Sequence, residues 1–118
     1  PSRELYIRWA QCGLFVSNAR LHGITPREPW VFGKQALEVF KHYAKLRYRL
    51  IPYLYTVSYI ASKTGHPVLR PMVFEFPADE NVHEVTEQFM LGGDLIIAPV
   101  LEKGKRKKRA CYEQLVTT

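Results

Sequence analysis

The residues best suited to chemistry stand close together near the start of the chain: Arg20, His22, Arg27 and Trp30. In an extended segment, side chains at i and i+2 point to the same side. Arg20 and His22 would then present a guanidinium and an imidazole together. Such a pair can donate several hydrogen bonds to hydroxyl groups or hold a carboxylate. Sugars are recognised by dense polar hydrogen bonding with an aromatic ring alongside, and Trp30 or Phe32 could supply the ring. A plainer reading gives Arg20 an internal ion pair and makes His22 a hydrogen-bonded turn residue.

Other candidate groups are weaker. Glu28 and Glu75 could be catalytic carboxylates, but a retaining glycosidase needs two carboxyls about 5–5.5 Å apart. Nothing in the spacing pairs these two. Glu28, between Arg27 and Pro29, reads as an ion-pair partner, and Glu75, between two phenylalanines, as solvent-facing or structurally paired. Asp79, Glu80, His83 and Glu84 form a polar turn whose spacing matches no zinc or calcium pattern, so no metal site is expected. There is no Gly-rich phosphate loop, Ser nucleophile elbow or Cys/His pair at a recognisable spacing.

The charge balance points the same way. The chain has 118 residues and a formal net charge of +6. Six of the 17 basic residues fall within residues 103–109, and the other 11 equal the 11 acidic ones. The charge therefore reports one short run, not a basic binding face. That run has no interleaved aromatics and reads as a solvated loop after a strand. Nucleic-acid binding is the competing reading, and binding that falls steeply with salt would mark it. Cys12 and Cys111 lack metal-type spacing; Cys12 reads as a buried thiol, and two cysteines lean toward a reducing, cytoplasmic setting. No apolar run approaches the roughly 20 residues that span a bilayer. The start, Pro1-Ser2-Arg3-Glu4, is not a signal peptide and has no initiating Met, which suggests a piece of something longer.

The elements that must position these residues follow from periodicity. Residues 3–16 read as a helix with Ser2 as N-cap. Residues 18–30 read as a loop, broken by two prolines and a glycine. Residues 34–51 give the strongest helix, with apolar lines through Leu37, Phe40, Ala44, Tyr48 and Ile51 and through Val39, Tyr43, Leu46 and Leu50. Lys41, Lys45 and Arg49 make a basic stripe. Pro52 predicts a break near residues 50–51, with a second helix over 53–63 stopped by Gly65. A strand is expected near 68–70 with extended chain to Phe76, a polar turn over 77–83, a short helix over 85–91, and a buried strand over 95–101. Helices alternating with strands suit an α/β architecture. One domain at most fits this length, yet two strands cannot close a sheet or cover helices this apolar. That imbalance predicts the C-terminal part of a larger barrel.

The chain resembles the family-31 glycoside hydrolases, the α-glucosidase and α-xylosidase family, from about Glu4 to Leu101. The matching pieces are Glu4-Leu5-Tyr6-Ile7-Arg8-Trp9, Arg20-Leu21-His22-Gly23, Arg27-Glu28-Pro29-Trp30, the stretch from Leu46 to Tyr55, Pro67-Val68-Leu69-Arg70-Pro71, Glu75-Phe76-Pro77, and Asp94-Leu95-Ile96-Ile97-Ala98-Pro99-Val100. The resemblance implies an α/β fold: the C-terminal portion of a (β/α)8 TIM barrel running into the start of a β-domain. Residues 1–101 would hold the last strands and helices of the barrel, and 102–118 a basic turn and the start of the next domain or an atypical tail.

In such barrels the site lies at the C-terminal ends of the strands. The resemblance implies that His22 hydrogen-bonds the sugar where cleavage occurs, that Arg20 supports it, and that Arg27 and Trp30 shape the loop. It implies cleavage of α-glycosidic bonds with retention, through an aspartate nucleophile and a second aspartate serving as acid then base, with no metal or organic cofactor. Both aspartates would lie before the segment matching Glu4, so no catalytic residue is expected here and this chain alone should be inactive. The partners implied are an α-linked oligosaccharide or glycoside and the remainder of the barrel, with no nucleic acid and no membrane. The form Arg-Leu-His-Gly resembles the α-xylosidase branch more than the α-glucosidase branch. A non-catalytic carbohydrate-binding or basic nucleic-acid-binding module is the alternative, and the match fades after Gly104.

Overall fold

The structure is a computed structural model that describes residues 1–111. It has a helical half and a sheet half. Helix α1 spans Arg3–Gly13, and helix α2 spans Lys34–Thr64. Ser2 caps α1 by accepting the Leu5 amide at 3.2 Å. Gly65 ends α2 in the left-handed region at φ 76°, where a residue without a Cβ fits without strain.

The expected break at Pro52 does not occur: α2 runs on as one 31-residue helix through it. Proline removes one ladder hydrogen bond, the one owed to the carbonyl of Tyr48. Both Tyr48 and Pro52 are exposed. Water can take the freed carbonyl on that side, and a long helix absorbs the local strain by bending.

The two helices pack together through half-buried Leu37, Phe40, Tyr43 and Leu46 of α2. Phe15, just past α1, meets Tyr43 edge-on with centroids 6.0 Å apart. Further along α2, Tyr48, Ile51, Tyr55 and Tyr59 are exposed, and so are Leu5 and Trp9 of α1. Among the described residues no helix is long and apolar enough to cross a membrane.

The second half is an antiparallel meander of three short strands: β1 (Leu69–Pro71), β2 (Phe89–Leu91) and β3 (Leu95–Ile97). Leu69 stands opposite Leu91, and Met90 opposite Ile96. One helical turn, α3 (Met72–Glu75), replaces the extended chain expected after Pro71. The helix expected over 85–91 is also absent: its last residues are β2. Val85 packs instead against the core of Met72, Val82 and Met90. The buried Gln88 amide brackets the Cys111 backbone, accepting its N–H at 2.9 Å and donating to its carbonyl. Two ladders and a buried amide outweigh the weak local preference for helix.

Sheet and helix meet at one latch. The Tyr53 hydroxyl donates to the Leu91 carbonyl at 2.6 Å and accepts the Asp94 amide at 3.2 Å. Residues 100–105 are tied to α1: Arg8 donates to Glu4 at 2.8 Å, to the Val100 carbonyl at 3.1 Å and to the Lys105 carbonyl. Gly104 N–H donates to Glu4 at 2.6 Å. That amide, with Arg8 beside it, holds the Glu4 carboxyl below its usual range. The basic run is thus pinned at its base, while Lys103, Arg106, Lys107 and Arg109 remain exposed as a solvated loop requires. Two lysines of the run are paired, exposed Lys105 with Glu102 at 2.6 Å and half-buried Lys108 with Glu87 at 2.9 Å. Residues 112–118, the rest of the expected tail, lie outside the described residues.

Candidate functional site

Arg20, His22 and Arg27 come together on the wall of one cavity of about 790 Å³. Leu5, Tyr6 and Trp9 of α1, Phe40 of α2, and Leu21 complete its main lining. The chain between the two helices forms no strand, and among the described residues no strand precedes β1. A strand needs a neighbour to take its hydrogen bonds, and no extended segment lies beside this one.

Arg20 and His22 are exposed, and among the described residues neither side chain makes a hydrogen bond or ion pair. The internal ion pair and the satisfied turn histidine are therefore not formed here. Arg27 is half-buried, and its Nε is enclosed without a hydrogen-bond partner. Among the described residues no carboxylate lines this cavity, so two guanidiniums and an imidazole face it without a counter-charge from that lining.

Trp30 stands apart from the cavity and is exposed, in a 3-10 turn over Pro29–Phe32. Phe32 is committed elsewhere, stacked on Tyr6 with centroids 4.1 Å apart and planes 15° from parallel. Among the described residues, the aromatic rings that border the cavity are Tyr6, Trp9 and Phe40.

Two anchors hold the loop. At its exit, the Tyr6 hydroxyl donates to the Arg27 carbonyl at 2.8 Å, and Arg3 Nε donates to the Phe32 carbonyl at 3.1 Å. At its entry, Arg47 of α2 donates to the carbonyls of Leu14 at 2.9 Å, Val16 at 2.5 Å and Ser17 at 2.9 Å. No residue pattern in the sequence assigns a site role to Tyr6 or Arg47. One signal was present: Arg47 lies off the exposed stripe of Lys41, Lys45 and Arg49, on the half-buried side of α2.

Burial raises the Tyr6 phenol above its usual range, and the Glu28 charge adds to the shift. A raised folded value means the neutral phenol is favoured. Its contribution is complete below the ordinary phenol range and is lost as pH rises through the folded value. The hold on Arg27 therefore persists through neutral pH and fails only in alkali. Tyr6→Phe should remove one late-titrating phenol from the alkaline tyrosinate absorbance curve; an unchanged curve would refute the assignment.

Gly23 is required by close approach. A Cβ there would stand 2.5 Å from Arg27 Nε and 3.0 Å from its Nη2. Gly23 also holds φ 158°, a conformation that residues with a side chain rarely adopt, so Gly23→Ala should cost about 1–3 kcal/mol of stability and displace the flexible guanidinium. A crystal structure of the variant with Arg27 unmoved would contradict this.

Of the remaining candidate carboxylates, Glu75, Glu28 and Asp79 make structural bonds, while Glu80 and Glu84 are exposed. Glu75 accepts from the buried Arg70 at 2.5 Å. Glu28 Oε2 accepts the Arg27 amide at 3.1 Å and, among the described residues, forms no ion pair, unlike the expectation. Asp79 caps a turn by accepting the Asn81 amide at 3.0 Å, and His83 Nε2 lies 2.8 Å from the Pro77 carbonyl. Among the described residues no three His, Cys, Asp or Glu side chains could share a metal ion. Cys12 and Cys111 are free thiols, each half-buried, and burial pushes the Cys12 thiol up.

The model of the family 31 glycosyl hydrolase TIM-barrel domain matches residues 1–57, and that of the family 31 C-terminal domain matches 65–112. Most of the helical half falls in the first match, and the sheet in the second. "Alpha-glucosidase 2" of Bacillus thermoamyloliquefaciens is 38% identical over 112 residues, covering 92% of this chain and 14% of that protein. An α-xylosidase of Saccharolobus solfataricus is 40% identical over 98 residues, covering 82% of this chain and 13% of that protein. The chain thus spans about one-seventh of the curated relatives it matches. Among solved structures, a family 31 α-xylosidase from a soil metagenome, complexed with xylose, superposes with TM-score 0.78 at 33% identity over 88% of this chain and 18% of that one. A Flavobacterium johnsoniae family 31 dextranase, complexed with glucose, gives TM-score 0.81 at 40% identity over 87% of this chain and 13% of that one.

Proposed function

This chain belongs to glycoside hydrolase family 31, and we propose that it is part of a retaining α-glycosidase releasing terminal α-linked xylose or glucose from oligosaccharides or glycosides. The observation that carries the proposal is the cavity where Arg20, His22 and Arg27 converge with no carboxylate among them. Such a wall can bind sugar hydroxyls but cannot by itself cleave a glycosidic bond, which needs two carboxyls across the scissile atom. In this reading both aspartates come from the remainder of the barrel, and this chain supplies part of the sugar-binding wall.

His22 then hydrogen-bonds the sugar at the point of cleavage, Arg20 supports it, and Arg27 shapes the loop by packing across Gly23. Trp30 keeps a loop-shaping role away from the cavity. No metal or organic cofactor enters the reaction. The exposed apolar residues of α1 and α2, Leu5, Trp9, Tyr48 and Tyr55 among them, supply surface for the rest of the barrel to cover.

The test is to read the parent gene upstream of Pro1 and assay its full-length product on aryl α-xylosides and α-glucosides. Two strand-end aspartates and turnover of either substrate support the proposal. An active enzyme preferring the xyloside places it with the α-xylosidases. A full-length product that binds sugars yet cleaves neither substrate, even in a variant screen of conditions, would replace it with a non-catalytic carbohydrate-binding module.

A further inference from the structure

We propose that Arg47 is a positioning residue for His22, acting through the backbone of the loop; this rests on the glycosidase reading above. Arg47 is not on the cavity wall and cannot touch a sugar there. Its guanidinium instead gathers three carbonyls, of Leu14, Val16 and Ser17, where the chain leaves α1. Those groups lie past the last turn of α1, where helical carbonyls have no intrahelical partner. A planar fork satisfies carbonyls spread over several residues at once, whereas an ammonium is a single point of charge.

Ser17 is three residues before Arg20 and five before His22. At the far end, the Tyr6 hydroxyl fixes the Arg27 carbonyl at 2.8 Å. Residues 18–26 are therefore strung between two side-chain clamps. Between these clamps, among the described residues, neither Arg20 nor His22 has a hydrogen bond of its own to fix it. The direction of the imidazole is then set by where the loop begins, and Arg47 sets that. An error of about 1 Å in a group that binds the reacting sugar can cost roughly 100-fold in rate.

The experiment is a double-mutant cycle in the full-length enzyme, with activity expressed per active site titrated by a fluoroglycoside that traps the glycosyl-enzyme. Arg47→Ala should lower kcat per titrated site by roughly 100-fold, with a smaller change in KM. Arg47→Lys should show a smaller loss of the same kind. In a His22→Ala background, Arg47→Ala should cost no more than about twofold, because its effect runs through that residue. A residue that merely stabilises the fold would reduce the number of titratable sites and leave kcat per site unchanged.

Wild-type kcat per site in Arg47→Ala, or losses that multiply in the double variant, would overturn the inference alone. Should Arg47→Ala yield no folded enzyme, Arg47→Lys decides, and wild-type kcat per site in that variant overturns the inference. A wild-type enzyme inactive on every α-glycoside would overturn the glycosidase reading, and this inference with it.

Discussion

His22→Ala in the full-length enzyme is expected to lower kcat/KM by roughly 100-fold. Hydrogen bonds to a sugar that strengthen as the ring flattens toward the transition state stabilise that state more than the bound substrate, so the loss should fall mainly on kcat. His22 is exposed on the cavity wall and unengaged among the described residues, so its removal leaves no buried partner behind. The unfolding midpoint should therefore stay near that of the wild type. Full activity in His22→Ala would remove this residue from the site. A loss seen only as a raised KM would mean that it contacts substrate and transition state equally.

Gly92→Ala should produce the largest loss of stability, about 3 kcal/mol. Gly92 sits in the β2–β3 turn at φ 63°, a region that costs a residue with a side chain about 1–2 kcal/mol. An added Cβ would also stand 2.4 Å from the Tyr53 hydroxyl and 2.7 Å from Val57 Cγ2. Those two side chains join the sheet to α2, and Val57 is buried. The measurement is amide hydrogen exchange at Gly92, whose N–H donates to the Val68 carbonyl at 2.7 Å, and at Asp94, bonded to Tyr53. Both should lose protection. Retained protection at both would mean that the turn tolerates a side chain and that the latch is looser than its distances indicate.

How much was legible in the residues depends on how local each decision was. The helix starting after Ser2, the stop at Gly65 and the loop at residues 18–30 each follow from a cap, a missing Cβ or a run of breakers. The family followed from short motifs in a fixed order, and with it the barrel and the domain after it. Grouping Arg20, His22 and Arg27 was within reach, because their order places them in one loop between two helices. Three further readings depended on neighbours that no short window contains. α2 passes Pro52 where Tyr48 and Pro52 are both exposed, so the freed carbonyl is not sealed inside this chain's own core. Residues 85–91 end as a strand because β1 and β3 flank Phe89–Leu91 and Cys111 takes both ends of the Gln88 amide. Phe32 left the candidate aromatics because Tyr6 stacks on it.

The sequence by itself determined the family, the helix after Ser2, the helical character on either side of Pro52 and the loop that carries the candidate sugar-binding residues. These rest on caps, breakers, apolar periodicity and motif order, all carried by residues near one another in the chain. Only the tertiary structure decided what holds that loop, because Arg47 lies 30 positions after Ser17, and Tyr6 lies 21 before Arg27. A hydrogen bond across such a separation forms only once α1 and α2 have packed. Before that, an arginine in the middle of a helix looks like any other charged residue.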